Sequence, residues 1–227
     1  MSLPIIAFDL DGTLVDTAPD LIATLNWVFA ERGLPPVTYE EARSMIGAGV
    51  KPLLKRGLTA QGITLPEPEL EALYNTYLER YAAHIADTSR PFPGLIAALD
   101  RLEADGYSFA VATNKLEWLS VKLLDELDLS RRFKAICGQD TFGVPKPNPE
   151  MLRKTIAKAG GDPARAIMVG DSEADFRVAQ NAGLPVIAVD FGYTPRPVQE
   201  FGPDIIISHY DALPGAVAEL TAQFAKV

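Results

Sequence analysis

Cysteine occurs once in the 227 residues, at Cys137, so an internal disulfide framework and any multi-cysteine metal site are excluded. Histidine is almost as scarce: His84 and His209 lie far apart, which argues against a histidine-rich metal centre. Basic residues number 21 against 30 acidic ones, a formal charge of −9, so no chain-wide positive field exists to attract nucleic acid. No apolar run approaches the roughly 20 residues of a membrane span. The opening Met1–Phe8 lacks the basic leader of a signal peptide, so a cytoplasmic location without membrane partners is expected. What remains is a chain with 48% hydrophobic residues, enough for one sizeable domain or for one domain and a small second one. Its chemistry must come largely from carboxylates.

Short apolar runs at 4–8, 107–113, 166–170, 185–189 and 204–208, with a weaker one at 133–138, read as buried strands of a parallel sheet. Helical patterns alternate with them: Leu95, Leu99 and Leu102 share one face, and Leu116, Leu119, Leu123 and Leu127 another. The expected fold is α/β, a doubly wound Rossmann-like sheet. The stretch 16–90 holds no convincing strand and reads as an all-helical cap inserted into a core formed by 1–15 and 91–227. Its helices are marked by Leu21, Leu25, Val28 and Phe29, by 39–46, by 51–61, and by Leu70, Leu73, Tyr77 and Tyr81. A Thr17-x-x-Asp20 capping box is expected at the first of them. The tyrosines of the last fit either a cap core or an interface, and a monomer and a homodimer both remain open.

Asp9-Leu10-Asp11-Gly12-Thr13-Leu14 ends the first strand and places two carboxylates, two residues apart, on one side of the chain. Ligands bind beyond the carboxyl ends of such strands. Paired acids either raise one pKa or recruit a cation. Asp171 ends a later strand, and Ser172-x-x-Asp175 resembles a capping box, which is compatible with a functional Asp175. Hard oxygen ligands without His or Cys point to Mg²⁺. Lys146, in Val144-Pro145-Lys146-Pro147-Asn148-Pro149, precedes a helix start and is either a solvated lysine or a restrained anion-binding one. Thr113 and Asn114 follow a strand, where they either cap a helix or hold phosphate oxygens. A carboxylate nucleophile, a second acid, a divalent cation, a lysine and a hydroxyl together suit phosphoryl transfer.

In this order the segments resemble the haloacid dehalogenase-like phosphohydrolase superfamily over essentially the whole chain, with no departure from its catalytic pattern. The resemblance implies that Asp9 attacks phosphorus and becomes an aspartyl-phosphate. It makes Asp11 the acid and then the base, and gives its backbone carbonyl to Mg²⁺. Asp9 and Asp171 complete the metal site with Asp175 in support; Thr113, Asn114 and Lys146 hold the phosphoryl group. A finer resemblance, through Asp9–Leu21, Ile46-Gly47-Ala48-Gly49, Phe191-Gly192-Tyr193-Thr194 and Gly202–Ile205, is to the phosphoglycolate phosphatases of that superfamily. Phosphatases of sugar phosphates or pyrophosphate and β-phosphoglucomutases share much of it. Around the cap glycines, Arg43, Lys51, Lys55 and Arg56 form either a solvated face or a grip for a substrate carboxylate, with Gly49 letting the loop approach. A phospho-accepting receiver module is the non-enzyme alternative, disfavoured by the Gly-Thr after the acid pair and by the size of the helical insert.

Overall fold

The computed structural model describes residues 3–224. The chain starts with β1 (Ile5–Phe8), turns through Asp9–Leu14 and forms the two-residue β2 (Val15–Asp16). Helices α1 (Ala18–Ala30), α2 (Tyr39–Arg43), α3 (Val50–Ala60) and α4 (Glu67–Ala83) follow, before β3 (Arg90–Pro91). Then come α5 (Leu95–Ala104), β4 (Ser108–Ala112), α6 (Glu117–Glu126), β5 (Phe133–Cys137) and α7 (Pro149–Lys158). The chain continues through β6 (Ala166–Gly170), α8 (Glu173–Ala182), β7 (Val186–Val189), β8 (Ile205–Ile207) and α9 (Leu213–Gln223). The fold is α/β: six strands form one parallel sheet in the order β5-β4-β1-β6-β7-β8.

Alternation along the strands explains the two layers. Ile5 and Ala7 face a cluster with Met151, Leu152, Phe176 and Ala179 of α7 and α8. Ile6 and Phe8 face a second cluster that runs through Leu99 and Leu123 into the helices of 18–83. With both faces covered, the strands need apolar residues at nearly every position, which is why they read as continuous runs.

The first strand sits in the middle, between β4 and β6, and the chain leaves it in opposite senses on its two sides. That switch point opens a crevice at the carboxyl ends of β1, β4 and β6. β2 and β3 pair antiparallel, Val15 with Pro91 and Asp16 with Arg90, where the chain leaves the sheet and returns to it. Tyr77 and Tyr81 are fully buried, and the Tyr77 hydroxyl donates to the Leu21 carbonyl at 2.9 Å, so these two rings belong to the core of the helical insert.

Two local expectations are corrected. The Thr17-x-x-Asp20 box does not form. Thr17 gives no side-chain cap, and its hydroxyl donates to Asp11 Oδ1 at 2.8 Å. Asp20 instead accepts from the backbone N–H groups of Thr88 and Ser89, stapling the chain just before β3. The helix expected over 39–46 is shorter, ending at Arg43, because glycines at 47 and 49 and a turn at Ser44 break the pattern. No helix among the described residues is long and apolar enough to cross a membrane.

Candidate active site

Three strand ends supply the site. Asp9 follows β1 and extends the ladder, its N–H donating to the Val169 carbonyl at 2.9 Å. The next residues close a tight loop in which Leu14 and Val15 both donate to the Leu10 carbonyl. Gly12, with φ +83°, makes this turn possible; a Cβ there would stand 2.6 Å from Asp171 Oδ2. Gly192 has the same function on the other side, since its Cβ would lie 2.2 Å from that of Asp171. Two glycines thus leave room for one carboxylate.

Asp9, Asp171 and Asp175 are buried, and each offers a carboxylate oxygen within 4.8 Å of the others. Asp171 is fixed by the Thr13 hydroxyl at 2.8 Å and the Tyr193 N–H at 2.7 Å. Asp175 accepts from the N–H and hydroxyl of Ser172, at 3.0 and 2.6 Å, so it caps α8 and joins the cluster at once. Lys146, with 3% of its surface exposed, places its ammonium 2.8 Å from Asp9 Oδ1 and 2.5 Å from Asp175 Oδ1. One ammonium among three carboxylates leaves a large negative excess. Burial first, then Asp175, pushes the Asp9 carboxyl from 3.8 up to about 7 despite Lys146. Burial, then Asp175 and Asp9, takes Asp171 to about 8. Asp9 Oδ1 also has no hydrogen bond in its buried place, Lys146 lying beside it outside hydrogen-bonding geometry. A hard divalent cation fits this all-oxygen set and would offset the excess charge.

Asp11 stands apart from that cluster. Its carboxylate shares the cleft with Asp9 but accepts from Thr17 and from Lys115 Nζ at 3.0 and 3.2 Å. Thr113 lines the same cleft, which encloses about 510 Å³ including its mouth. Asn114 lines the cleft as well, and its side chain bridges to the segment that carries Lys146. Its side-chain oxygen accepts from the Lys146 N–H at 2.9 Å and its amide donates to the Lys146 carbonyl at 3.3 Å. The reason is geometric: the loop after β4 runs alongside the segment that carries Lys146, and the amide ties the two.

The helical insert contributes Gly49, where a Cβ would stand 3.3 Å from the Asn114 carbonyl oxygen, so only glycine lets the loop lie against it without crowding. Arg43 and Lys51 are not brought to the cleft. The Arg43 guanidinium donates to the carbonyls of Phe191 (3.1 Å) and Gly192, over the Tyr193 ring. Lys51 pairs with Glu71 and lies 5.1 Å from the Tyr74 ring centre. Both cations meet partners on neighbouring elements before they can reach a substrate. Lys55 likewise faces Glu67, and Arg56 donates to the Met45 carbonyl.

Tyr193 and Lys115 carry weight that residue-by-residue reading missed. The Tyr193 hydroxyl accepts from the N–H groups of Thr17 and Ala18 and donates to Asp16, joining the loop after β7 to the start of α1. Its motif was visible in the sequence; its partners, some 176 positions away, were not. Lys115 sits next to two singled-out residues, yet nothing in its own spacing marks it as buried.

A parallel sheet with an aspartate ending its central strand, a buried lysine beside it and two more aspartates at the next strand define a hydrolase of the aspartate-nucleophile kind. Comparison places it. The sequence profile of the haloacid dehalogenase-like hydrolases matches residues 6–189, and the chain belongs to that family. A phosphoglycolate phosphatase of Mesorhizobium japonicum is 49% identical over 219 residues, 96% of each chain. One of Agrobacterium fabrum is 46% identical over 216 residues, 95% of this chain and 93% of the other. Among solved structures, a predicted phosphoglycolate phosphatase from Haemophilus somnus superposes with a TM-score of 0.88 at 28% identity, covering 95% of this chain and 98% of its own. The chain is a phosphoric monoester hydrolase.

Proposed function

We propose that the chain hydrolyses 2-phosphoglycolate to glycolate and phosphate through a phosphorylated Asp9, in the cytoplasm and with Mg²⁺. The observation that carries the reaction is the buried Asp9–Lys146 pair, 2.8 Å apart, beside Asp171 and Asp175. The names of relatives 46–49% identical support the substrate. Mg²⁺, when bound, would be held by Asp9, the Asp11 carbonyl and Asp171 with Asp175 in support, and would supply positive charge that keeps the nucleophile ionised and offsets the phosphoryl charge.

Asp9 attacks phosphorus with a carboxylate oxygen, and the bond to the glycolate oxygen breaks. Asp11 gives that oxygen its proton. Lys146 and the Thr113 hydroxyl hold the phosphoryl oxygens in both steps, while Asn114 acts one step back by fixing the Lys146 backbone. Asp11 then takes a proton from the water that attacks phosphorus, the acyl-phosphate bond breaks, and Asp9 is restored. Residues 16–90 act as the cap that excludes bulk water during this sequence.

Phosphate release with Mg²⁺ from 2-phosphoglycolate, a hexose 6-phosphate, β-glucose 1-phosphate, pyrophosphate and p-nitrophenyl phosphate tests the assignment. The highest kcat/KM is expected for 2-phosphoglycolate. A clear preference for another ester, or isomerisation of β-glucose 1-phosphate, would move the chain to a different phosphatase or to a mutase. In the same panel Lys51→Ala should leave KM for 2-phosphoglycolate within about twofold, because the lysine is spent on an exposed pair. A large rise in that KM alone would return Lys51 to the substrate.

A further inference from the structure

The proton path assigned to Asp11 leaves one buried cation without a task. Lys115 is 6% exposed, and its ammonium donates to both oxygens of Asp11, at 3.0 and 3.2 Å. Its remaining donor reaches the hydroxyl of fully buried Tyr81 at 2.9 Å, with the ring centre 4.5 Å away. The backbone under it is fixed at both ends: its N–H donates to Thr113 Oγ1 at 3.2 Å, and its carbonyl accepts from the Gln139 N–H at 3.1 Å. Gly138 permits that mount, since a Cβ there would lie 2.5 Å from the Lys115 carbonyl oxygen. All three ammonium protons are therefore engaged, two of them on one carboxylate. An ammonium held this way fixes the direction of its partner more tightly than a solvated lysine can.

We propose that Lys115 is a positioning residue: anchored by Tyr81 of α4, it holds the Asp11 carboxylate in the cleft, where Asp11 passes protons to the leaving group and from water. The proposal rests on the reading of Asp11 as acid and base. It links the sheet to the helical insert as well, because Tyr81 belongs to α4 whereas Lys115 follows β4. A carboxylate free to swing would lose alignment with both the leaving oxygen and the attacking water.

The test uses Lys115→Met, which keeps the length of the stem and removes the donors, and Tyr81→Phe, which removes only the anchor. For 2-phosphoglycolate, kcat of Lys115→Met is expected to fall about 100-fold with little change in KM, a loss of the size general acid–base catalysis supplies. p-Nitrophenyl phosphate separates the two steps, because its leaving group needs no proton. The first turnover should stay close to the wild-type rate while hydrolysis of phospho-Asp9 slows, giving a burst of about one nitrophenol per enzyme. Tyr81→Phe should show the same pattern with a smaller loss.

Three results would overturn the proposal. If KM for 2-phosphoglycolate rises alone and p-nitrophenyl phosphate is untouched, Lys115 grips the substrate carboxylate. If burst and steady state fall together, its role is structural. If Lys115→Met does not fold, Tyr81→Phe decides, and wild-type kinetics in that variant end the idea. Wild-type protein that releases phosphate from neither ester would remove the reading of Asp11 itself, a failure visible before any variant is compared.

Discussion

Asp9→Asn is expected to lower kcat/KM for phosphate esters by at least about 10⁴-fold, because the attacking group itself is removed, while making the metal-free protein more heat-stable. The two effects have one cause. Asp9 is buried beside Asp171 and Asp175 with a single lysine to share, and burial pushes its carboxyl up to about 7. An amide of nearly the same shape removes one of the crowded charges and leaves Lys146 its contact with Asp175. At pH 8 the gain is on the order of 2 kcal/mol, or roughly 5 °C in Tm for a chain of this size. Kinetics with 2-phosphoglycolate and a thermal melt in EDTA check both halves. A variant that loses activity and stability together would mean that the charge crowding is not as described.

Metal removal should reverse how stability depends on pH. Asp9 and Asp171 have carboxyls raised from 3.8 to about 7 and about 8, so without metal the folded state binds protons that the unfolded state releases. The stabilisation is fully present below about pH 4 and is lost as pH rises towards 8. A divalent cation binds the ionised carboxylates and restores it. The rise in Tm on adding Mg²⁺ should therefore be small at pH 5.5 and large at pH 8, and EDTA should abolish phosphate release at every pH. Taking the difference between bound and stripped protein cancels the titration of exposed acids. A Tm increment that does not grow with pH would place the cation elsewhere.

The sheet was legible because its strands are buried on both faces: the run at 166–170 coincides with β6, and that at 133–138 overshoots β5 by one residue. Asp9 and Asp171 were legible for the same reason, being charged residues that end apolar runs. The two-residue β2 and β3 left no periodicity to read; only the pairing of Val15 with Pro91 and Asp16 with Arg90 defines them. Side-chain partners were the least legible level. Thr17 fits the pattern of a helix cap, yet Asp11 stands within 2.8 Å of its hydroxyl. Arg43 and Lys51 look like free cations until Gly192 and Glu71 come beside them. Lys115 is the converse case, a polar residue on a helix approach that the fold buries against Tyr81. Such contacts join positions far apart in the chain, and local pattern does not encode them.

The phosphoryl group is expected to pass through Asp9 on its way to water. Wild-type protein mixed with labelled 2-phosphoglycolate and Mg²⁺, quenched within the first turnover and reduced with borohydride, gives a direct answer. Label is expected on the protein in the acid quench and, after reduction, conversion of Asp9 alone to homoserine in peptide mass spectra. Phosphate released at full rate with no covalent label, or a label on any residue other than Asp9, would contradict it.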